Sequence, residues 1–253
     1  MRNITFVLLV AAGLAAVPAG GARAAIVNSL RGWSEDEQGW SGALAGSYGA
    51  SGGNSPQSTF EGSGRVQLRS QANVWRLIGS GKRTTVHGVE TKKSTLGHLR
   101  HNYLLSDRWA TLAFLQVQRN PFQRLDSRFL AGLGGRWRAV KGESTLIYLG
   151  AAHMFEQERI RDEEGHTEAQ RFSGFVSLEA RLSEDVVVDF LAFYQPRWSD
   201  FNDWRMYGEV SLEVELTGSL SLFTGYKLEH NSRPPAEVEQ SDWDTKTGLL
   251  FKF

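Results

Sequence analysis

Histidines, serines and grouped carboxylates are the residues of this 253-residue chain that could do chemistry, and their spacing is the first test. His98 and His101 stand three apart in "GHLRHNY". On an extended strand that separation points the rings to opposite faces, so they cannot chelate one metal together. His101 and Tyr103 share the parity of Leu99, and a membrane-embedded lipase would need a serine within hydrogen-bond reach of such a histidine. No serine stands two positions away on that segment, which leaves only a partner from another strand. The acidic run "RDEEGH" at 161–166 fits either a solvated loop or a site for divalent ions, including those that bridge lipopolysaccharide. The six histidines show no metal spacing and no phosphate-cradling motif occurs, so neither metal, cofactor nor catalytic residue is expected.

Charge recurs instead at every second position of extended segments. In "FEGSGRVQLR" Phe60, Val66 and Leu68 share one face while Glu61, Arg65 and Arg69 share the other. The same parity collects Arg76, His98, Arg100, Asn102, Gln116, Gln118, Arg128, Arg136 and Arg138. Further along it collects Glu179, Arg181, Asp189, Glu209, Glu213, Lys227 and Glu229. Arginine dominates the second to sixth segments and carboxylates the eighth to eleventh. Set opposite one another around a lumen, the two groups suit two readings. One is a transverse field that orients polar or zwitterionic solutes in a narrow pore. The other is a set of mutually neutralising pairs that fills the interior. Gly132 and Gly134 share the inward parity of Arg128 and Arg136. They either leave open space in the wall or ease strand curvature.

About twelve such segments must position these residues. They run near 39–50, 58–70, 73–80, 95–105, 108–118, 124–139, 144–155, 171–182, 185–196, 203–216, 218–229 and 243–253. Short connections such as Gln71-Ala72 and Ser183-Glu184 alternate with long ones such as "GSGKRTTVHGVETKKS" and "QERIRDEEGHTEAQ". That alternation predicts an all-β fold: a closed antiparallel transmembrane β-barrel of about 12 strands, up-and-down in topology. A lumen of that width is too large to fill with Val, Leu and Ala, so the apolar face is expected to meet lipid. Trp40, Trp75, Trp109 and Trp137 are placed at one rim and Trp198, Trp204 and Trp243 at the other, as aromatic girdles.

Residues 1–24 read as a cleaved export signal, ending on Ala22-Arg23-Ala24, and 25–37 as a polar lead before a barrel over 38–253. The chain has no cysteine, which excludes disulfides and thiolate sites, and its formal charge of zero argues against nucleic acid as a partner. The ending "TGLLFKF" alternates at period two, so Thr247, Leu249, Phe251 and Phe253 are expected to face lipid with Lys252 inward. That strand is expected to close the barrel against the first.

The stretches "HLRHNYLLSDRWATLAFLQVQRNPFQRLDSRFLAGLGGRWR" and "FYQPRWSDFNDW…HNSRPPAEVEQSDWDTKTGLLFKF" resemble the salt-induced outer-membrane proteins, a domain of unknown function numbered 481. The resemblance covers roughly 38–253. It implies an outer-membrane barrel of a Gram-negative bacterium and hints at an osmotic or envelope response. The family has no agreed activity, so it transfers no catalytic residue. The ending also resembles the terminal signal read by the barrel-assembly machinery, with Phe251 and Phe253 as its aromatic residues. The expected partners are therefore that machinery, outer-membrane lipid and lipopolysaccharide, and small polar solutes. Three functions stay open: a narrow passive channel, a structural barrel sealed by charge pairs, and a lipid-modifying enzyme.

Overall fold

The computed structural model describes residues 38–54 and 56–253; the expected signal and polar lead lie outside the described residues. Twelve strands follow in order: β1 (Gly39–Ser51), β2 (Gln57–Ser70), β3 (Asn73–Val86), β4 (Val89–Leu104), β5 (Trp109–Asn120) and β6 (Leu125–Lys141). Then come β7 (Thr145–Ile160), β8 (Thr167–Arg181), β9 (Val186–Arg197), β10 (Asp200–Thr217), β11 (Leu220–Asn231) and β12 (Ser241–Lys252). Each pairs antiparallel with its sequence neighbour, and β12 returns to β1 to close a barrel. Closure joins the first and last strands into one ring, the condition for carrying a β-sheet through hydrocarbon.

Period-two alternation becomes an inverted protein. The buried set includes Gln67, Arg76, Arg100, Asn102, Arg136 and Glu213, whereas Leu77, Leu99, Leu115, Leu133, Val210 and Leu249 are exposed on the outside. A soluble barrel would bury the second set, so this outer surface is made for lipid. Trp40, Trp75, Trp109 and Trp137 lie at the end that carries the tight turns, where Trp109 and Trp137 stack at 6.0 Å. Trp198, Trp204 and Trp243 lie at the opposite, loop end, with Tyr194 5.8 Å from Trp204 and Tyr226 6.2 Å from Trp243.

Two long connections are shorter than the sequence suggests. β3 and β4 run on through "GSGKRTTVHGVETKKS" to a two-residue tip, His87 and Gly88, with φ of 50° and 77°. Both angles are positive, as the tight hairpin turn matching strand twist requires. Polar composition is no obstacle to pairing, because the side chains find partners. Thr59 and Thr84 hydroxyls meet at 3.0 Å, and Arg83 lies 2.8 Å from Glu90. β7 and β8 likewise consume most of "QERIRDEEGHTEAQ", leaving 161–166 as the connection. The asymmetry between ends is thus carried largely by strand overhang. β10 has 18 residues, well above the roughly 9–11 that cross a bilayer.

The closing seam is the shortest ladder. β1 and β12 pair only from Ala43↔Lys252 to Gly46↔Leu249, four residue pairs. Gly42 and Phe253 add reciprocal backbone bonds of 2.9 and 3.1 Å below them. Both strands then continue toward the loop end without pairing to each other, β1 against β2 as far as Ser51 and β12 against β11 from Ser241.

Candidate functional site

Among the described residues the interior divides into a filled half and an open half. In the filled half, Leu112 from β5, Ala152 from β7, Phe175 from β8, Leu191 and Phe193 from β9 and Tyr207 from β10 form one apolar cluster, with Phe114 and Tyr148 packed against it. Phe175 and Phe193 lie 5.3 Å apart, and Arg100 reaches over from β4 to sit 5.4 Å from the Phe175 ring. A lumen read from parity alone is polar throughout; here aromatic side chains occupy its middle.

The inward glycines explain how they fit, because the room beside Gly132 and Gly134 is taken by neighbouring groups. A Cβ on Gly132 would strike the edge of the Phe114 ring, and one on Gly134 would strike the backbone of Ala151 and Ala152. The room vacated at Gly132 is filled by the neighbouring aromatic, and at Gly134 by close approach of β7. Gly150 repeats the device with Phe175. Glycine in a strand wall covered by an adjacent ring lets a bulky side chain lie flat against the sheet.

Above the cluster, toward the loop end, a charged network ties four strands. Arg171 on β8 lies 3.0 Å from Glu156 on β7 and 2.9 Å from Asp203 on β10. Arg205 on β10 binds Glu156 and, at 3.0 Å, Glu158; Arg128 on β6 binds Glu158 as well. Two carboxylates shared among three guanidiniums satisfy groups that would be costly to bury alone. Of these residues only Arg128 is among the expected interior set. Glu156 and Glu158 fall beyond the segment expected to end at 155, yet they continue the parity of Ala152 and Met154. That parity was the available signal.

The open half faces β1–β4 and β10–β12. It holds a chamber of about 250 Å³ lined by Glu61, Arg65, Lys82, Glu209, Lys227 and Lys246 among others. Lys246 Nζ lies 2.7 Å from Glu61 Oε1, and Lys82 Nζ 2.6 Å from Asp244 Oδ2. The Tyr207 hydroxyl donates to Glu209, and Lys227 lies 3.5 Å from Glu229. Ala43, Phe223 and Leu250 pack together as its floor, and Lys252 binds Glu213 toward the turn end. A second chamber, about 220 Å³, opens at the loop end between Arg128, Glu158, Arg205 and Pro235. Glu229 lines both chambers.

The other expected residues have specific neighbours. Arg76 donates to Gln67 at 2.9 Å, and Arg100 to Asn102 at 3.2 Å. His98 Nδ1 and Gln116 Oε1 are 2.8 Å apart, and Arg128 donates to Gln118 at 3.3 Å. Arg136 and Arg138 lie over Tyr148 at 4.5 and 5.5 Å. Glu179 and Asp189 sit opposite one another on β8 and β9. Arg69 and Arg181 bond the turn carbonyls of Gln71 and Glu184 rather than the lumen centre. His101 points outward, 3.0 Å from Asn73 and stacked on Trp75 at 4.2 Å. Among the described residues no group of three or more His, Asp or Glu side chains is arranged to hold a metal.

Full closure, a charged interior and an apolar outer band define a transmembrane β-barrel. The family model described as "Protein of unknown function, DUF481" matches residues 45–253, and the chain belongs to that family. Among solved structures, the NanC porin has a similar fold at a TM-score of 0.53 and 12% identity, over 84% of this chain and 100% of that one. The translocator domain of the autotransporter NalP from Neisseria meningitidis is similar at a TM-score of 0.51 and 8% identity, over 86% of this chain and 90% of that one. Identities this low speak for the fold alone. No curated protein matches the sequence.

Proposed function

We propose that this barrel is a narrow passive channel for small polar solutes or ions in a bacterial outer membrane. The observation that carries the reading is a pair of chambers that share Glu229 in their walls, lined by side chains of both charge signs. Charged walls around water-sized space suit selection by electrostatics and width. Export through a cleaved signal, contact with lipid and lipopolysaccharide, delivery by the assembly machinery and a link to osmotic stress belong to the same proposal. The parity of the outer face supports the contact with lipid, and the aromatic ending supports delivery by the assembly machinery. The outward His101 is engaged by Asn73 and Trp75, which favours a non-enzymatic reading.

A second reading has its own observation. The Leu112–Phe175–Phe193–Tyr207 cluster and the Arg128–Glu158–Arg205–Glu156–Arg171 network would serve a structural barrel whose interior is sealed. Conductance of the refolded protein in planar bilayers separates the two. A channel gives small unitary currents, and Glu209→Gln with Glu213→Gln shifts its permeability ratio toward anions. An intact barrel with no unitary current would sink the channel and leave the sealed scaffold.

A further inference from the structure

The connection 232–240, between β11 and β12, leaves the sheet where β3, β4, β7 and β8 run on as paired overhangs. Pro234 and Pro235 supply the reason, since neither has an N–H with which to extend a ladder. The base of this strap is fixed to β10. Ser232 N donates to the Trp204 carbonyl at 3.0 Å, the Ser232 hydroxyl donates to the Asn202 carbonyl at 2.8 Å, and Arg233 lies 2.7 Å from Asp200. Past the prolines the chain turns, with Val238 N donating to the Pro235 carbonyl at 3.1 Å.

The tip of the strap meets the opposite wall. In a ring of twelve strands the β5–β6 and β11–β12 connections stand half the ring apart, so a bond between them crosses the mouth. Arg124 makes that crossing, its Nη1 donating to the Ala236 carbonyl at 3.4 Å. Beside it the buried Gln123 amide donates to Asp242 of β12, also at 3.4 Å. Arg124 is held in place from behind: its Nη2 donates to the Arg161 carbonyl at 3.0 Å, and its own carbonyl accepts from Arg161 N at 2.6 Å. Under the crossing lies the 220 Å³ chamber, which Arg233, Pro234, Pro235 and Val238 of the strap line together with Arg128 and Arg205 of the walls. The base is thus tied by short bonds to a strand, and the tip by a long bond to one side chain. Such a segment swings about its base when the contact at its tip breaks.

We propose that 232–240 is a lid over the loop-end mouth, hinged at Ser232 and Arg233 and latched at Arg124, whose release admits small polar solutes to the second chamber. The solute traffic rests on the channel reading above; the lid and its latch do not.

The chain has no cysteine, so an introduced one is a unique probe. Ile160, buried and lining the second chamber, is replaced by cysteine in the full chain, held in nanodiscs where both ends of the barrel meet water. A cationic methanethiosulfonate is expected to modify Ile160→Cys at least fivefold faster once Arg124→Ala is added. A smaller rise overturns the lid. Heat-dependent gel mobility verifies folding, and excision of 234–238, which leaves β11 and β12 whole, is expected to give the same rise and replaces Arg124→Ala should that variant not fold. In planar bilayers, Arg124→Cys with Ala236→Cys is expected to switch between two current levels and to stay at the lower one once a short bis-maleimide joins the pair. Current that the cross-link leaves unchanged overturns the lid as a gate. A faster thiol reaction in a barrel that never conducts supports the lid and sinks the channel; a conducting barrel with an unchanged thiol rate fails this inference alone.

Discussion

A missing side chain in a barrel wall is space only if nothing next door takes it. Gly132 shows the difference, because the edge of the Phe114 ring lies too close to leave room for a Cβ there. Gly132→Val should therefore destabilise the barrel by about 1–3 kcal/mol through overpacking. Adding Phe114→Ala should recover part of that loss, a coupling read from urea midpoints in a double-mutant cycle. Glu156 makes the opposite kind of case. It serves Arg171 and Arg205 with a side chain only 3% exposed. Glu156→Gln leaves guanidiniums buried without full compensation, so a loss of about 3–5 kcal/mol is expected in the same measurement. The Arg128 position was legible from parity; its carboxylate partners were not, because they lay past the apparent end of their segment.

At the scale of elements, β12 bears most on assembly. Phe253, which follows its last residue, extends the closing ladder through the Gly42–Phe253 bonds, and the Phe253 ring lies over Gly42, 2.5 Å from where a Cβ would be. With only four further residue pairs in the seam, removing Phe253 takes a large share of the closure. Deleting it should lower the fraction of folded, membrane-inserted barrel before any transport defect appears. Pulse-chase gels that resolve folded from unfolded mobility check this, and normal insertion would refute it. Strand number and face were readable segment by segment, since alternation is a local property. Strand ends were not. The overhangs of β3, β4, β7 and β8 are polar, and their pairing depends on a neighbour such as Thr84 for Thr59 or Glu90 for Arg83.

For the whole molecule, closure turns sequence-distant residues into neighbours. Lys82 and Asp244 are 162 positions apart and 2.6 Å from contact partner to contact partner. Such chords shape the charged interior of the barrel. If the aromatic cluster limits the path, Phe175→Ala should raise unitary conductance in planar bilayers while leaving the barrel folded. No change would place the limit in the open half, near Glu229. The sequence by itself determined twelve alternating strands, a polar inner face and an apolar outer one, because the two-residue period is written into each segment. Only the tertiary structure decided which half of the lumen is filled, which charges meet and where the β1–β12 seam stops. Those outcomes depend on barrel radius and register, which arise from closure of the whole ring and from no segment alone.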